Sequence, residues 1–196
     1  MDTRETSSYG GIDQGLNRTI ATVLLDGVPR GELLYEEKRK LLDKYDDIIE
    51  SLQRAGKTRK LKQLRNKRSN VSIYHDWCLA NKVVEYTDGY DIAIGNTMFR
   101  QTQYRGNGMP MLRKRIGKWS YGRQRCFIAH KRAERGLSTK LIDERNTSNT
   151  CHCCGSRLVA RKYHERASWI LCHSCESKLD ADLNAAYNIA AGGMTG

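Results

Sequence analysis

Four cysteines carry the clearest chemistry in the chain. Cys151 and Cys154 are two residues apart, as are Cys172 and Cys175, and 17 residues separate the two pairs. Two thiolates spaced this way in a tight turn can aim at one ion, and a second such turn completes a tetrahedron. The pattern therefore reads as a four-thiolate zinc ribbon, its intervening residues a hairpin with strands expected over 156–162 and 169–171. His152, Cys153 and His173 lie inside the knuckles as substitute ligands, ranked below two regular pairs that already supply four. Cys78 and Cys126 stand alone in helical segments and read as small buried apolar residues. Such a zinc site is silent on reaction type. It can brace a nucleic-acid-binding hairpin, given Arg157, Arg161, Lys162 and Arg166 nearby, or only tie two segments together.

Two aspartates are the next candidates. Asp13, in Gly11-Ile12-Asp13-Gln14-Gly15, stands at the end of a strand before a glycine turn. Alone it fits a turn former as well as a catalytic acid. Asp182 lies in Asp180-Ala181-Asp182-Leu183-Asn184-Ala185-Ala186-Tyr187-Asn188-Ile189, where Asp182, Ala185, Ala186 and Ile189 share one helical face. The other members are small or apolar, so the face packs against the body, and an acid there needs a partner. A favourable interaction with the helix N-terminus is one answer. Asp180 is the better cap, however, and a divalent ion shared with Asp13 accounts for both acids. Carboxylates suit Mg2+ and Mn2+, and two such ions can clamp the attacking and leaving oxygens of a phosphodiester.

The elements that position these groups follow from periodicity. Strands are expected at 11–13, 19–25 and 31–35, with Asp26-Gly27 as a tight turn. Residues 36–86 read as helical: Leu41, Leu42, Tyr45, Ile48, Ile49 and Leu52 keep i, i+3, i+4 spacing. Ala55-Gly56 breaks that stretch, 57–68 is heavily basic, and a second helix spans about 71–86, with Ile73, Trp77, Leu79 and Val83/Val84 as its apolar face. A short strand at 90–94 precedes a basic, glycine-containing loop from Arg100 to Arg115. A helix over 119–135 stops at Gly136, strand character resumes at 137–142, and a last helix over 180–191 stops at Gly192-Gly193. This alternation argues for an α/β fold, a mixed sheet with helices packed on it and the cysteine module inserted before the last helix.

With 196 residues and 22.4 kDa, the chain can bury a core without disulfides. Lys+Arg number 34 against 22 Asp+Glu, a net charge of +12 that suggests a polyanion partner, most often nucleic acid. No apolar run is long enough for a membrane span, and the polar N-terminus has no signal-peptide core. Seven cysteines in that setting belong to a reducing compartment, where clustered thiols bind metal.

Three blocks together resemble the C-terminal half of TnpB, the transposon-encoded RNA-guided DNA nucleases related to type V CRISPR effectors. The stretch from Gly11 through Val23 is similar to the first RuvC motif. Thr147-Ser148-Asn149-Thr150-Cys151-His152-Cys153-Cys154-Gly155, continued by Cys172-His173-Ser174-Cys175, is similar to the family's zinc-bearing target-nucleic-acid-binding module. The block from Asp180 to Ile189 is similar to the last RuvC motif. The resemblance implies an RNase H-like (RuvC) mixed sheet with a helical insert at 36–86 and an inserted zinc ribbon. The parts fall at 9–146 and 179–193 for the nuclease domain and 147–178 for the zinc module. It further implies a divalent-metal-dependent DNA endonuclease of a transposable element, cytoplasmic and nucleoid-associated in a prokaryote, with structural Zn2+ and catalytic Mg2+ or Mn2+.

Two departures from the family pattern matter. In most relatives the strand matching 90–94 ends in a catalytic Glu, and here that position is Gly95. Some relatives carry the middle Glu elsewhere, and Glu144, seven residues before Cys151, is the candidate. In an RNase H-like sheet its strand lies one place beyond the strand ending at Gly95. One strand spacing is about 4.8 Å, much of which a Glu side chain covers, and a glycine at 95 clears the path. Glu144 also fits a solvent-exposed residue between Asp143 and Arg145. On the catalytic reading, Asp13, Glu144 and Asp182 hold the catalytic ions. The second departure is the position of the first strand, near residue 9. Full relatives carry a large region ahead of it that binds guide RNA, so a guide is expected to act through a missing or separate segment. Lys57, Arg59, Lys60, Lys62, Arg65, Lys67 and Arg68 are candidates for contacts to the phosphates of DNA, or form a solvated helix face. The competing expectation is a catalytically inactive nucleic-acid-binding remnant or repressor, or one subunit of a split guided nuclease.

Overall fold

A computed structural model describes residues 8–15, 18–25, 28–96, 116, 118–157, 159–164 and 167–195. Eight strands and four helices are described: β1 Ser8–Gln14, β2 Thr19–Leu25, β3 Val28–Tyr35, α1 Glu37–Arg54, α2 Thr58–Tyr86, β4 Asp91–Gly95, α3 Tyr121–Ala133, β5 Thr139–Ile142, β6 Val159–His164, β7 Ala167–Cys172, β8 Lys178–Asp180 and α4 Ala181–Thr195. The predicted loop 100–115, the turn 26–27 and Arg166 lie outside the described residues.

The main sheet is mixed, in the order β3-β2-β1-β4-β5. β1, β2 and β3 are antiparallel neighbours, whereas β4 runs parallel to both β1 and β5. Three parallel strands therefore deliver their C-terminal ends to one edge. The register aligns Ile12 with Ile94 and Gly95 with Ile142, so Asp13, Gly95 and the residues after Ile142 arrive side by side.

Period-2 alternation assigns the two faces of the sheet. Ile12, Ile92 and Ile94 bury into a core with Leu79, Ala80 and Val83 of α2 and Ile128 of α3. Gly11 faces the other way, against α4. A Cβ at Gly11 would overlap the Ala186 carbonyl and lie 2.6 Å from the Ala190 nitrogen. The helix backbone thus rests directly on β1, an approach that only glycine permits.

Several boundaries differ from those read in the sequence. α2 begins at Thr58 rather than near 71, so the basic stretch forms its first turns. Of its expected apolar face, Leu79, Val83 and Val84 are buried while Ile73 and Trp77 are only half-buried, and Ile48 of α1 is exposed. The larger correction is at the C-terminus. α4 does not stop at Gly192-Gly193 but runs on to Thr195. There a Cβ on Gly193 would lie 2.9 Å from the Ala93 Cβ and one on Gly192 3.0 Å from Ile142 Cδ1. These glycines let the helix close on the sheet; they do not end it. Gly136, at φ +70°, does follow the end of α3 as expected.

The second sheet, β6-β7-β8, is antiparallel and carries the cysteine knuckles at its ends. Its third strand, only three residues long, is absent from the sequence reading. Among the described residues no helix is long and apolar enough to cross a membrane.

Candidate functional site

The two periodicities meet at the sheet edge. Gly11 touches Ala186 and Ala190, so two residues further along β1, and one turn back along α4, Asp13 and Asp182 come to the same place. Asp180 caps the helix as expected: its Oδ1 accepts hydrogen bonds from the backbone N–H of Asp182 at 3.0 Å and of Leu183 at 3.2 Å. That leaves the Asp182 side chain available to the edge.

Glu144 joins them. It lies two residues beyond β5, and its side chain crosses over Gly95: a Cβ there would overlap Glu144 Oε1, Cδ and Cγ. The Asp13 carboxyl is raised well above its ordinary range, first by burial, then by the negative charges of Asp182 and Glu144, with Arg161 and Arg18 pulling it back. The three acids therefore form one electrostatic cluster. They are less tightly gathered than the cysteines, which are the only set of three or more ligand-type residues among those described whose donor atoms all lie within 4.8 Å of one another.

Arg18 was not singled out by sequence reasoning. Its Nε donates to Asp182 Oδ2 at 2.8 Å and its Nη2 to Asp180 Oδ2 at 2.5 Å, with little of the side chain exposed. Arg161 of β6 stands 3.9 Å from Asp182 Oδ1. One carboxylate oxygen of Asp182 is thus engaged by Arg18. In sequence, Arg18 is only a basic residue in a short turn.

Behind the edge, on the core side, lies a buried polar network that no motif announces. Asp76 of α2, 0% exposed, accepts from Lys38 at 2.5 Å, Arg123 at 2.7 Å, Ser120 at 2.8 Å and Gln124 at 2.9 Å. Gln124 in turn accepts from Gln14 Nε2 at 3.2 Å. The residue following Asp13 is thereby tied to α1, α2 and α3 at once. Burial is the first influence on Lys38 and leaves its ammonium below the ordinary value despite Asp76. The charged members, Lys38, Asp76 and Arg123, satisfy one another, as buried charges require.

The thiolates form the second cluster. Cys151 Sγ lies 3.7 Å from Cys175 Sγ, and Cys154 Sγ 3.6 Å from Cys172 Sγ. A tetrahedral zinc with Zn–S bonds of about 2.3 Å has edges of about 3.8 Å, so the set fits such an ion. Burial pushes the Cys151 thiol up, but hydrogen bonds from Ser177 and from the backbone of Cys154 and Cys153 bring it down to about 6. His152, Cys153 and His173 are outside the group; the His152 ring lies against Tyr187, centroids 4.8 Å apart. Asn184 and Asn188, four residues apart on α4, fasten the first knuckle to the helix. Their Nδ2 atoms donate to the Thr150 carbonyl at 2.8 Å each, and Asn184 Oδ1 accepts from the His152 N–H at 2.9 Å. Cys126, expected buried, is exposed, and Cys78 is half-buried against the core.

The basic candidates fall into two groups. Lys57, Arg59, Lys60, Lys62, Arg65 and Lys67 are exposed at the start of α2. Arg68 turns inward onto Asp46, its Nε 2.7 Å from Oδ1, beside Lys118 at 3.0 Å.

The family model described as Cas12f1-like, TNB domain matches residues 121–189, from α3 through the knuckles into α4. Among solved structures, the chain is similar to a protein of the Cas12f1–sgRNA–target DNA complex, with a TM-score of 0.69 and 19% identity over 97% of this chain and 51% of that one. A protein of a CRISPR-Cas12f ternary complex matches with a TM-score of 0.66 and 18% identity, over 95% of this chain and 39% of that one. The TNB-domain match takes in about a third of the chain, and the likeness to the two solved chains is one of fold. It spans about half, or less, of the length of the solved effector chains it matches. No curated protein matches it.

Proposed function

We propose that the chain is the nuclease part of a type V-like effector, an RNase H-like (RuvC) domain that hydrolyses DNA phosphodiesters with divalent metal. The parts are 9–146 and 179–193 for the nuclease and 147–178 for the zinc module. The observation that carries this reading is the Glu144 side chain crossing Gly95 toward the edge where Asp13 and Asp182 meet. The strand order β3-β2-β1-β4-β5 supports the fold assignment.

Asp13, Glu144 and Asp182 offer only hard oxygen donors, and their mutual repulsion is relieved by a cation, so the set fits Mg2+ or Mn2+. Held there by Asp13, Glu144 and Asp182, such ions would supply activation of water and stabilisation of the leaving 3′ oxygen. The protein's own part is positional. Arg18 holds Asp182 through one oxygen, the Asp180 cap fixes the start of α4, and the Gln14–Gln124–Asp76 network anchors the strand that carries Asp13. The four thiolates hold a structural Zn2+, which stiffens the hairpin beside the edge. The exposed cations of α2 contact phosphates.

DNA is the proposed substrate, and guide RNA, present in one similar complex as sgRNA, a proposed partner. We further assign the protein to a transposable element and to the prokaryotic cytoplasm, associated with the nucleoid. The inactive-remnant reading rests on Gly95, and the Glu144 side chain over that glycine weighs against it. The test is cleavage of single-stranded DNA with Mg2+ or Mn2+, wild type beside Asp13→Ala. Metal-dependent cleavage lost in Asp13→Ala supports the assignment; cleavage retained in that variant overturns it.

A further inference from the structure

Five cations from four segments of the chain close around one small hollow. Arg18 immediately precedes β2, Lys38 and Arg39 belong to the first turn of α1, Arg68 to α2, and Lys118 precedes α3; together they line a hollow of about 40 Å³. Among the described residues no Asp or Glu lines it. The acids that pair with these cations stand outside the lining: Asp180 and Asp182 for Arg18, Asp76 for Lys38, Asp43 for Arg39, and Asp46 for both Arg68 and Lys118. Such pairing does not by itself require five cations to share one wall. Lys38 is the least exposed of the five, and burial holds its ammonium below the ordinary value. The hollow lies beside the carboxylate edge. Gly15 is in its wall, and a Cβ there would lie 3.8 Å from Asp182 Oδ2, the oxygen that Arg18 Nε holds at 2.8 Å.

We propose that this hollow, walled by Arg18, Lys38, Arg39, Arg68 and Lys118, is an oxyanion site for a phosphate monoester. Its volume seats about three water-sized atoms, as many as the terminal oxygens of a monoester. A monoester carries about −1.5 to −2 charge at pH 7, more than the single charge of a diester inside a strand. Guanidinium and ammonium groups recognise such oxygens through charge-assisted hydrogen bonds. A dianion beside Lys38 also offsets the cost of burying its charge. An internal phosphate is tethered to a sugar on each side and cannot present three oxygens at once. The hollow therefore selects a strand end or a free phosphate over an internal one. Two sources share this chemistry, inorganic phosphate and the 5′-phosphate end of a cut strand. On the proposed nuclease reading, the oxygen of water stays on phosphorus and the 3′ oxygen leaves with a proton. The end produced beside Asp182 is then a 5′-phosphate, and the hollow retains it. The inference rests on that reading for the source of the monoester, though not for the chemistry that binds it.

The experiment is fluorescence anisotropy on zinc-loaded protein without added Mg2+. The probes are one short labelled DNA strand bearing a 5′-phosphate, a 5′-hydroxyl, or a 5′-phosphate capped as its methyl diester. The 5′-phosphate strand is expected to bind roughly tenfold or more tightly than the other two. Sodium phosphate, compared with chloride at equal ionic strength, should remove that preference. Arg39→Gln combined with Lys118→Gln should remove it as well. The readout is a ratio within each protein, so a general loss of DNA affinity does not imitate it, and the wild-type comparison stands even if the variant folds poorly. Thermal melting in the same two salts reads the free ion. Stabilisation by phosphate in wild type and not in the variant, with no preference for a phosphorylated end, supports the oxyanion site and makes the free ion its ligand. No preference and no phosphate-specific stabilisation overturn it. Asp13→Asn run in parallel should keep the preference. Cleavage absent from wild type with the preference intact counts against the nuclease reading alone; cleavage present with neither effect counts against the hollow alone.

Discussion

A methyl group at position 95 tests the placement of Glu144 without touching its chemistry. In Gly95→Ala the added Cβ would overlap Glu144 Oε1, Cδ and Cγ. To regain van der Waals contact the carboxylate must retreat by roughly 1–1.5 Å. Those atoms are the far end of a flexible side chain, so the fold has little to lose. An off-rotamer Glu costs about 0.5–1.5 kcal/mol, and replacing glycine stabilises by about 0.4–1 kcal/mol through the unfolded chain. The two nearly cancel, and Tm should move by only a few degrees. Displacing a reacting group by about 1 Å costs on the order of 100-fold in rate. The assay pairs thermal melting with cleavage of single-stranded DNA in Mn2+. A variant that melts like wild type and cleaves about 100-fold more slowly fits the account. A variant equally stable and equally active would refute the idea that Glu144 acts from over Gly95.

Other outcomes follow from the same structure. The protein should carry one Zn2+ through Cys151, Cys154, Cys172 and Cys175; Cys172→Ser should lose it and raise hydrogen exchange across residues 147–177, measured by mass spectrometry. Neutralising Arg59, Lys60 and Arg65 together should flatten the log–log salt dependence of DNA affinity by about 0.7–0.9 for each phosphate these side chains neutralise in wild type; an unchanged slope means they touch none. Asp46 gives a pH prediction. Burial acts to raise its carboxyl, but hydrogen bonds and charge from Arg68 and Lys118 outweigh it and leave the folded value below the ordinary 3.8. Its stabilisation is therefore present above pH 3.8 and is lost as pH falls through the folded value. Asp46→Asn should lower stability by about 1–2 kcal/mol at pH 7 and flatten the acid limb of the Tm curve relative to wild type.

What could be read in the sequence was what periodicity controls. The meeting of Asp13 with Asp182 follows from alternation in β1 and four-residue spacing in α4, and the Asp180 cap follows from local hydrogen bonding. The cysteine cluster was legible because its spacing is itself the ligand geometry. Glycines were legible only in part. Gly95 was read as a cleared path and Gly136 as a helix stop, but Gly192-Gly193 was misread. The same residue type serves a helix end and a close approach, and only the docking of α4 on Ala93 and Ile142 distinguishes them. The Asp76 network stayed hidden because Lys38, Arg123 and Gln124 lie 38 to 48 residues from it in sequence, and each alone resembles a solvated helix residue. Lys178–Asp180 is too short to show alternation, so β8 was missed. Cys126 was placed inside by the habit of its residue type, whereas its turn of α3 faces out.

Asp13, Glu144 and Asp182 are proposed to form one divalent-metal site. It is tested most directly by Mn2+ binding to zinc-loaded protein, followed by electron paramagnetic resonance, for wild type, Asp13→Asn, Glu144→Gln and Asp182→Asn. Saturable Mn2+ binding is expected, weakened at least about tenfold, about 1.4 kcal/mol, by each of the three substitutions, with zinc content unchanged. Glu144→Gln binding Mn2+ as tightly as wild type would contradict it.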